Sequence, residues 1–163
     1  MNFRITLKDL PLTRRGILAT VSSIYDPLGL VSPLLLHGKR ILQQIVADNK
    51  SWDEGISQEQ RFAWERWRND LHVLDEIEIK RSFKPSHLGK IVSAQIHHFS
   101  DASEVGYAEA SYLRLLDDNG HISTTLVMAK SRVAPLKTFT IPRLELTAAT
   151  VAVKVGFMLF KEL

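Results

Sequence analysis

Two carboxylates are the residues of this chain whose types and placement could do chemistry together. Asp101 closes the strand-like run Ile96-His97-His98-Phe99-Ser100-Asp101-Ala102-Ser103, and Glu145 opens the helix-like run Thr140-Ile141-Pro142-Arg143-Leu144-Glu145-Leu146-Thr147-Ala148-Ala149. An acid on a strand and a second in the first turn of a helix packed on that strand's sheet can share one divalent cation. Two-metal phosphodiester chemistry needs that arrangement. Ser100, Ala102 and Ser103 are small and let a metal or a phosphate approach the backbone beside Asp101. Glu145 is also favoured at a helix start by the helix dipole, whether or not a metal is involved. Two acids make half of such a site, and the sequence reaches Leu163 without a further strand that would add a third.

The charge pattern points the same way. The net charge is +3, but residues 48–78 carry nine acids and four bases, so that segment is net −5 and the rest is net +8. Between Asp118 and Glu145 no acid occurs, whereas Lys130, Arg132, Lys137 and Arg143 do. A polyanion passing Glu145 would meet these cations, and Lys and Arg contacts to phosphate supply most sequence-independent nucleic-acid affinity. The same residues also suit a solvated basic loop. Other chemistries lack their residues. His97 and His98 are neighbours on a strand, so they point to opposite faces and cannot chelate one ion together; His98 shares its face with Ser100, not with Asp101. Ser103, Ser111 and Ser131 have no histidine and acid in a triad-like pattern, and no glycine-rich phosphate loop is present.

The elements that must position the two acids can be read from periodicity and turn residues. Leu12 to Ile24 carries Ile17, Leu18, Val21 and Ile24 at helical spacing, and ends at Asp26-Pro27-Leu28-Gly29, a sequence suited to a type I turn. A second helix starts near Ser32-Pro33, with proline in the first turn, and runs through Leu35, Ile41, Leu42 and Ile45 to about Ala47. A third starts at Ser57, which Gln60 can cap reciprocally. Its apolar stripe is Ala63, Trp67, Leu71 and Leu74, widened by Phe62 and Trp64. Lys84 to Lys90 holds a Pro and a Gly and reads as a linker. Three β-rich segments follow, Ile91–Ser100, Gly106–Leu116 and Ile122–Lys130, with Asp118-Asn119-Gly120 marking a tight hairpin turn. Pro142 then starts a terminal helix whose apolar residues outnumber a narrow polar stripe, so it expects cover on two sides. The fold class expected is α+β: a helical segment over residues 1–83, a linker over 84–90, and three antiparallel strands followed by a helix over 91–163.

Composition bounds the context. The chain is 163 residues long and 45% hydrophobic, enough to bury a core, and it has no cysteine, which excludes disulfides and thiolate metal sites. No apolar run is long enough for a bilayer and no signal peptide precedes the first helix, so the expected location is intracellular, in cytoplasm or nucleus, with no membrane partner.

The two acid-bearing segments carry a resemblance. Ser100-Asp101-Ala102-Ser103 resembles the first catalytic strand of retroelement ribonuclease H domains. Val133-Ala134-Pro135-Leu136 through Thr140-Ile141-Pro142-Arg143-Leu144-Glu145-Leu146-Thr147-Ala148-Ala149 resembles the segment carrying their second acid. The match is closest to the Pao/BEL class of retrotransposon polyproteins, in which Arg15-Gly16-Ile17-Leu18 through Tyr25-Asp26-Pro27-Leu28-Gly29-Leu30 is similar to the helical region joining the reverse transcriptase to its ribonuclease H. The resemblance implies a partial ribonuclease H-like fold and a family site of four acids and two Mg2+ ions that cleaves RNA in an RNA–DNA hybrid. Asp101 would bridge the ions and Glu145 would hold one of them. The other two acids belong to later segments of the family, so the expectation is a Pol fragment, inactive alone. Its expected partners are an RNA–DNA hybrid, met by Lys130, Arg132, Lys137 and Arg143, and the rest of the Pol polyprotein or another chain against the terminal helix. Two alternatives stay open: a module that holds nucleic acid without cutting it, and a protein-interaction role through that helix.

Overall fold

In the computed structural model the described residues are 7–76, 78–79, 82–137 and 139–162. They form two compact units. The first comprises residues up to Pro27 together with Val31–Ile79, and the second comprises Leu28–Leu30 with the residues from position 80 onward.

The helical unit holds α1 (Arg14–Ser23), α2 (Ser32–Ala47), α3 (Gln58–Asp70) and a 3-10 turn over Leu71–Glu76. Local chemistry sets each start. Thr13 caps α1 by accepting from the Gly16 N–H, so this helix begins two residues later than the apolar spacing alone predicts. Pro33 sits in the first turn of α2. At α3 the capping box is complete: the Ser57 hydroxyl accepts from the Gln60 N–H at 3.3 Å, and the Gln60 amide oxygen accepts from the Ser57 N–H at 3.0 Å. Ile17, Val21, Leu35, Ile41, Ile45, Trp64, Trp67, Leu71 and Leu74 make the core. The expected stripe of α3 is corrected at two positions. Ala63 and Phe62 face solvent, and the buried line is Trp64, Trp67, Leu71 and Leu74. The indole rings of Trp64 and Trp67 tilt against each other, with centroids 4.8 Å apart. Trp67 fits because α2 has Gly38 where its ring lies. A β-carbon there would come within 2.5–2.9 Å of the ring. The Trp67 indole N–H donates to the Leu34 carbonyl at 2.7 Å.

The second unit is a three-stranded antiparallel sheet in the order β1-β2-β3, crossed by a long helix. The strands are β1 (Ile91–Ala102), β2 (Gly106–Asp117) and β3 (Ile122–Val133), and the helix is α4 (Ile141–Glu162). All three strands extend one to three residues beyond their expected C-terminal ends, because β2 pairs with its neighbours along its whole length. The β2–β3 hairpin turns as the Asn-Gly signal requires, with Gly120 at φ 84°. Its anchor is Asp117, a fully buried carboxylate. It accepts from the backbone N–H of Gly89 (3.0 Å), Asn119 (2.9 Å) and His121 (2.8 Å), and contacts the His121 ring at 3.1 Å. Burial alone would raise this carboxyl, but those donors outweigh it and hold it far below the usual carboxylate range. α4 packs across β1 and β2. Leu144, Ala148, Ala152, Val155 and Leu159 are its buried line, and Val155 and Leu159 meet Val127 and Met128 of β3 in the core.

The fold is therefore α+β, with a partial ribonuclease H-like arrangement of three strands and a helix. No helix among the described residues is long and apolar enough to cross a membrane.

Candidate functional site

Strand alternation decides which side chains share a face. His98 of β1 lies under α4: a β-carbon at Gly156 would come within 3.0 Å of its Nε2. Ile96, in the core with α4 residues, has the same parity. Asp101 has the opposite parity, so it belongs with Phe99 and His97 on the face turned away from α4. It is exposed near the end of β1, and its Oδ1 accepts from the Ala102 N–H at 2.8 Å.

Glu145 is the fifth residue of α4, so it lies just past the first turn in which the sequence placed it; it follows the buried Leu144 and is itself exposed. The Thr140 carbonyl accepts from the N–H groups of Arg143 (3.0 Å) and Leu144 (3.1 Å), which fixes the first turn of α4. Glu104 of the β1–β2 turn lines one cavity with Thr140, Ile141 and Leu144. The start of α4 thus lies at the C-terminal end of β1, while Gly156 lies over the middle of that strand. Glu145 precedes Gly156 by eleven residues, about 16 Å of helix axis. Asp101 follows His98 by three residues, about 10 Å of strand. The two acids therefore share one end of the sheet and approach it from different faces. Among the described residues no group of three or more His, Cys, Asp or Glu could hold a metal ion.

The predicted basic residues follow the chain around the same end. Lys130 and Arg132 are alternate residues of β3, Lys137 lies in the β3–α4 connection and Arg143 in the first turn of α4; all four are exposed. The Arg143 guanidinium stacks over the Phe139 ring at 5.0 Å from its centroid.

One titratable residue was not singled out from the sequence. Glu109 of β2 is 2% exposed. Its Oε2 accepts from the Ser111 hydroxyl at 2.9 Å, and its Oε1 has no partner. The Ser111 oxygen lies 2.7 Å from the His98 Nδ1. Because Ser111 gives its proton to Glu109, His98 completes the chain by donating from Nδ1. Burial pushes the Glu109 carboxyl up, with the Ser111 hydrogen bond and the charge of Lys130 opposing. This is not a nucleophilic triad, since the hydroxyl proton points to the acid and not to the imidazole. The signal was present in the sequence: Glu109 shares strand parity with Ser111, Leu113 and Leu115, which is an inward set.

A family model described as the Pao retrotransposon-like RNaseH-like domain matches residues 13–163. Comparison with curated proteins and with solved structures yields no match. The family match runs through the helical unit and the sheet unit alike, and it includes both acid-bearing segments. The chain belongs to the Pao retrotransposon-like RNaseH-like domain family.

Proposed function

We propose that this chain is the ribonuclease H-like part of a retrotransposon Pol polyprotein and that it engages an RNA–DNA hybrid through Lys130, Arg132, Lys137 and Arg143. Asp101 and Glu145 are then two of the acids around which the intact family assembles Mg2+. The observation that supports this reading is the family match over residues 13–163, together with the exposed cations that follow the chain from β3 into α4. A bound Mg2+ would supply Lewis-acid activation of a phosphodiester and its attacking water. The described residues offer too few ligands to fix it, so on this reading the 163-residue chain binds hybrid without cutting it. The helices of residues 1–83 are read as the region joining the polymerase to the ribonuclease H, on the strength of Arg15-Gly16-Ile17-Leu18 and Tyr25-Asp26-Pro27-Leu28-Gly29-Leu30. The exposed apolar residues of α4, Leu146, Val153, Phe157 and Phe160, are read as the surface met by the remainder of Pol.

Incubating the chain with a labelled RNA–DNA hybrid and Mg2+ tests the proposal. The expected result is salt-sensitive binding, with each lost phosphate contact in Lys130→Glu or Arg132→Glu lowering the slope of log K against log salt by about 1. Asp101→Asn leaves that binding in place. Cleavage by the wild type that Asp101→Asn abolishes would overturn the inactivity claim, and absence of hybrid binding at low salt would overturn the nucleic-acid role.

A further inference from the structure

The sheet face turned away from α4 is neither charged throughout nor covered along its length. Phe99 is 60% exposed on it. Phe99 meets Tyr112 of β2 edge to face, with centroids 5.9 Å apart and planes at 77°. The Phe99 ring stays largely open to solvent beside Tyr112. Strand pairing puts His97 opposite Tyr112, and Arg114 opposite Gln95 on β1 and Thr124 on β3. The Arg114 guanidinium donates to the Gln95 side-chain oxygen at 3.1 Å. His97, Phe99, Tyr112, Arg114 and Thr124 line one shallow depression.

We infer that this face binds unpaired nucleotides, with bases stacked on Phe99 and Tyr112 and a phosphate held by Arg114. Three features select this occupant over an apolar helix or a second copy. A flat β-surface presenting aromatic rings suits bases, which have π-faces whatever their sequence. Arg114 supplies a planar cation that pairs with a phosphate in a two-pronged geometry or stacks on a base, whereas an apolar partner would have to desolvate it. Thr124 and His97 place hydrogen-bonding groups beside the rings, as base edges require. Asp101 has the parity of Phe99 and lies two residues further along β1, so a strand laid on this face leads toward the candidate metal-binding acid. The inference requires neither a metal at Asp101 nor the cations of β3 and α4, so it can fail separately from the hybrid-binding proposal.

The test is fluorescence anisotropy with the whole chain and labelled single-stranded oligonucleotides of about ten residues, one DNA arm and one RNA arm, with 2-aminopurine placed internally to report stacking. The wild type should bind and quench the 2-aminopurine. Phe99→Leu keeps the apolar area but removes the π-face and should weaken binding roughly 5- to 100-fold with loss of quenching, while Phe99→Trp should retain both. Because Phe99 is largely exposed, circular dichroism should show both variants folded. Arg114→Ala should weaken binding and flatten its salt dependence. Lys130→Glu with Arg132→Glu should impair hybrid binding and leave oligonucleotide quenching intact. Equal affinity of wild type and Phe99→Leu would overturn the inference, as would oligonucleotide binding that follows Lys130 and Arg132 alone. Self-association in sedimentation that Phe99→Leu abolishes, with no oligonucleotide bound, would assign the face to a second copy instead.

Discussion

Replacing Glu109 by methionine should stabilise this protein at neutral pH, although it removes a hydrogen-bonding side chain. Glu109 has one donor, Ser111, for two buried oxygens, and Oε1 is without a partner. A buried polar group left unsatisfied costs about 1–3 kcal/mol, more when charged. Methionine has a similar volume and a flexible chain that fills irregular space. The orphaned Ser111 proton has another acceptor 2.7 Å away, the His98 Nδ1, once His98 carries its own proton on Nε2. The network therefore loses a carboxylate without leaving a donor stranded. The expected gain is about 1–3 kcal/mol at pH 7, or about 2–4 °C of melting temperature for each kcal/mol in a chain of this size. The pH dependence has a fixed sign. Burial raises the Glu109 carboxyl above its ordinary value of 4.5, so the stability it contributes is fully present below that value and is lost as pH rises through the raised one. Thermal or urea melts of wild type and Glu109→Met at pH 7 and pH 4 should show the variant's advantage shrinking on acidification. A variant less stable than the wild type at pH 7 by about 1 kcal/mol or more, with no pH dependence, would refute the argument. It would mean that Oε1 has a partner and that Glu109 is a well-satisfied core acid.

Three further perturbations follow from single contacts. Gly38→Ala improves helix propensity by about 1 kcal/mol, but its β-carbon would meet the Trp67 ring at 2.5–2.9 Å. Overpacking of this kind costs about 1–3 kcal/mol, and urea unfolding should show a net loss in the helical unit. Ser57→Ala removes one arm of the α3 capping box and should lower stability by about 1 kcal/mol in the same assay. Asp117→Asn replaces an acceptor of three backbone N–H groups with an amide that brings donors of its own. Because the Asp117 carboxyl is held low, its contribution is present above the ordinary value of 3.8 and is lost as pH falls through the depressed one. Its melting temperature should fall at pH 7, and the gap to wild type should narrow only in strong acid.

The elements were legible where local chemistry and periodicity agree. The Ser57 and Gln60 pair, the proline at the start of α2, the Asn-Gly hairpin and the α4 start beside Pro142 all lie where turn and capping residues put them, since each acts within four residues along the chain. Misses arose where a partner distant in sequence decided. Ala63 fits a helical stripe, but Trp64 and Trp67 take the inward positions, Trp67 against Gly38 of α2, so the stripe rotates. Glu109 escaped notice because a strand acid is most simply solvated, and its burial depends on α4, more than thirty residues downstream. For the site, the types and places of Asp101 and Glu145 could be read as an acid late in a strand and another early in a helix. How near they come to each other depends on the crossing of α4 over the sheet, which no local pattern encodes.

The alternation of β1 separates two kinds of polar residue. One set, Ile96, His98 and Ser100, has the parity of the α4 side, where the His98 ring approaches Gly156 and bonds the Ser111 hydroxyl oxygen. Its outward set, His97, Phe99 and Asp101, meets no helix of its own unit and keeps aromatic and charged groups exposed. A one-residue slip in the pairing of β1 with β2 would exchange the sets, placing Asp101 on the α4 face and His98 on the opposite one. The register is held from both sides of β2. Asp117 ties the β2 end of the hairpin to Gly89 just before β1, and the Ser103 hydroxyl and N–H both reach the Gly106 carbonyl at the other turn. The outward position of Asp101 is thus secured by contacts that do not include it. The acid can be changed to asparagine to test its role without disturbing the fold that presents it.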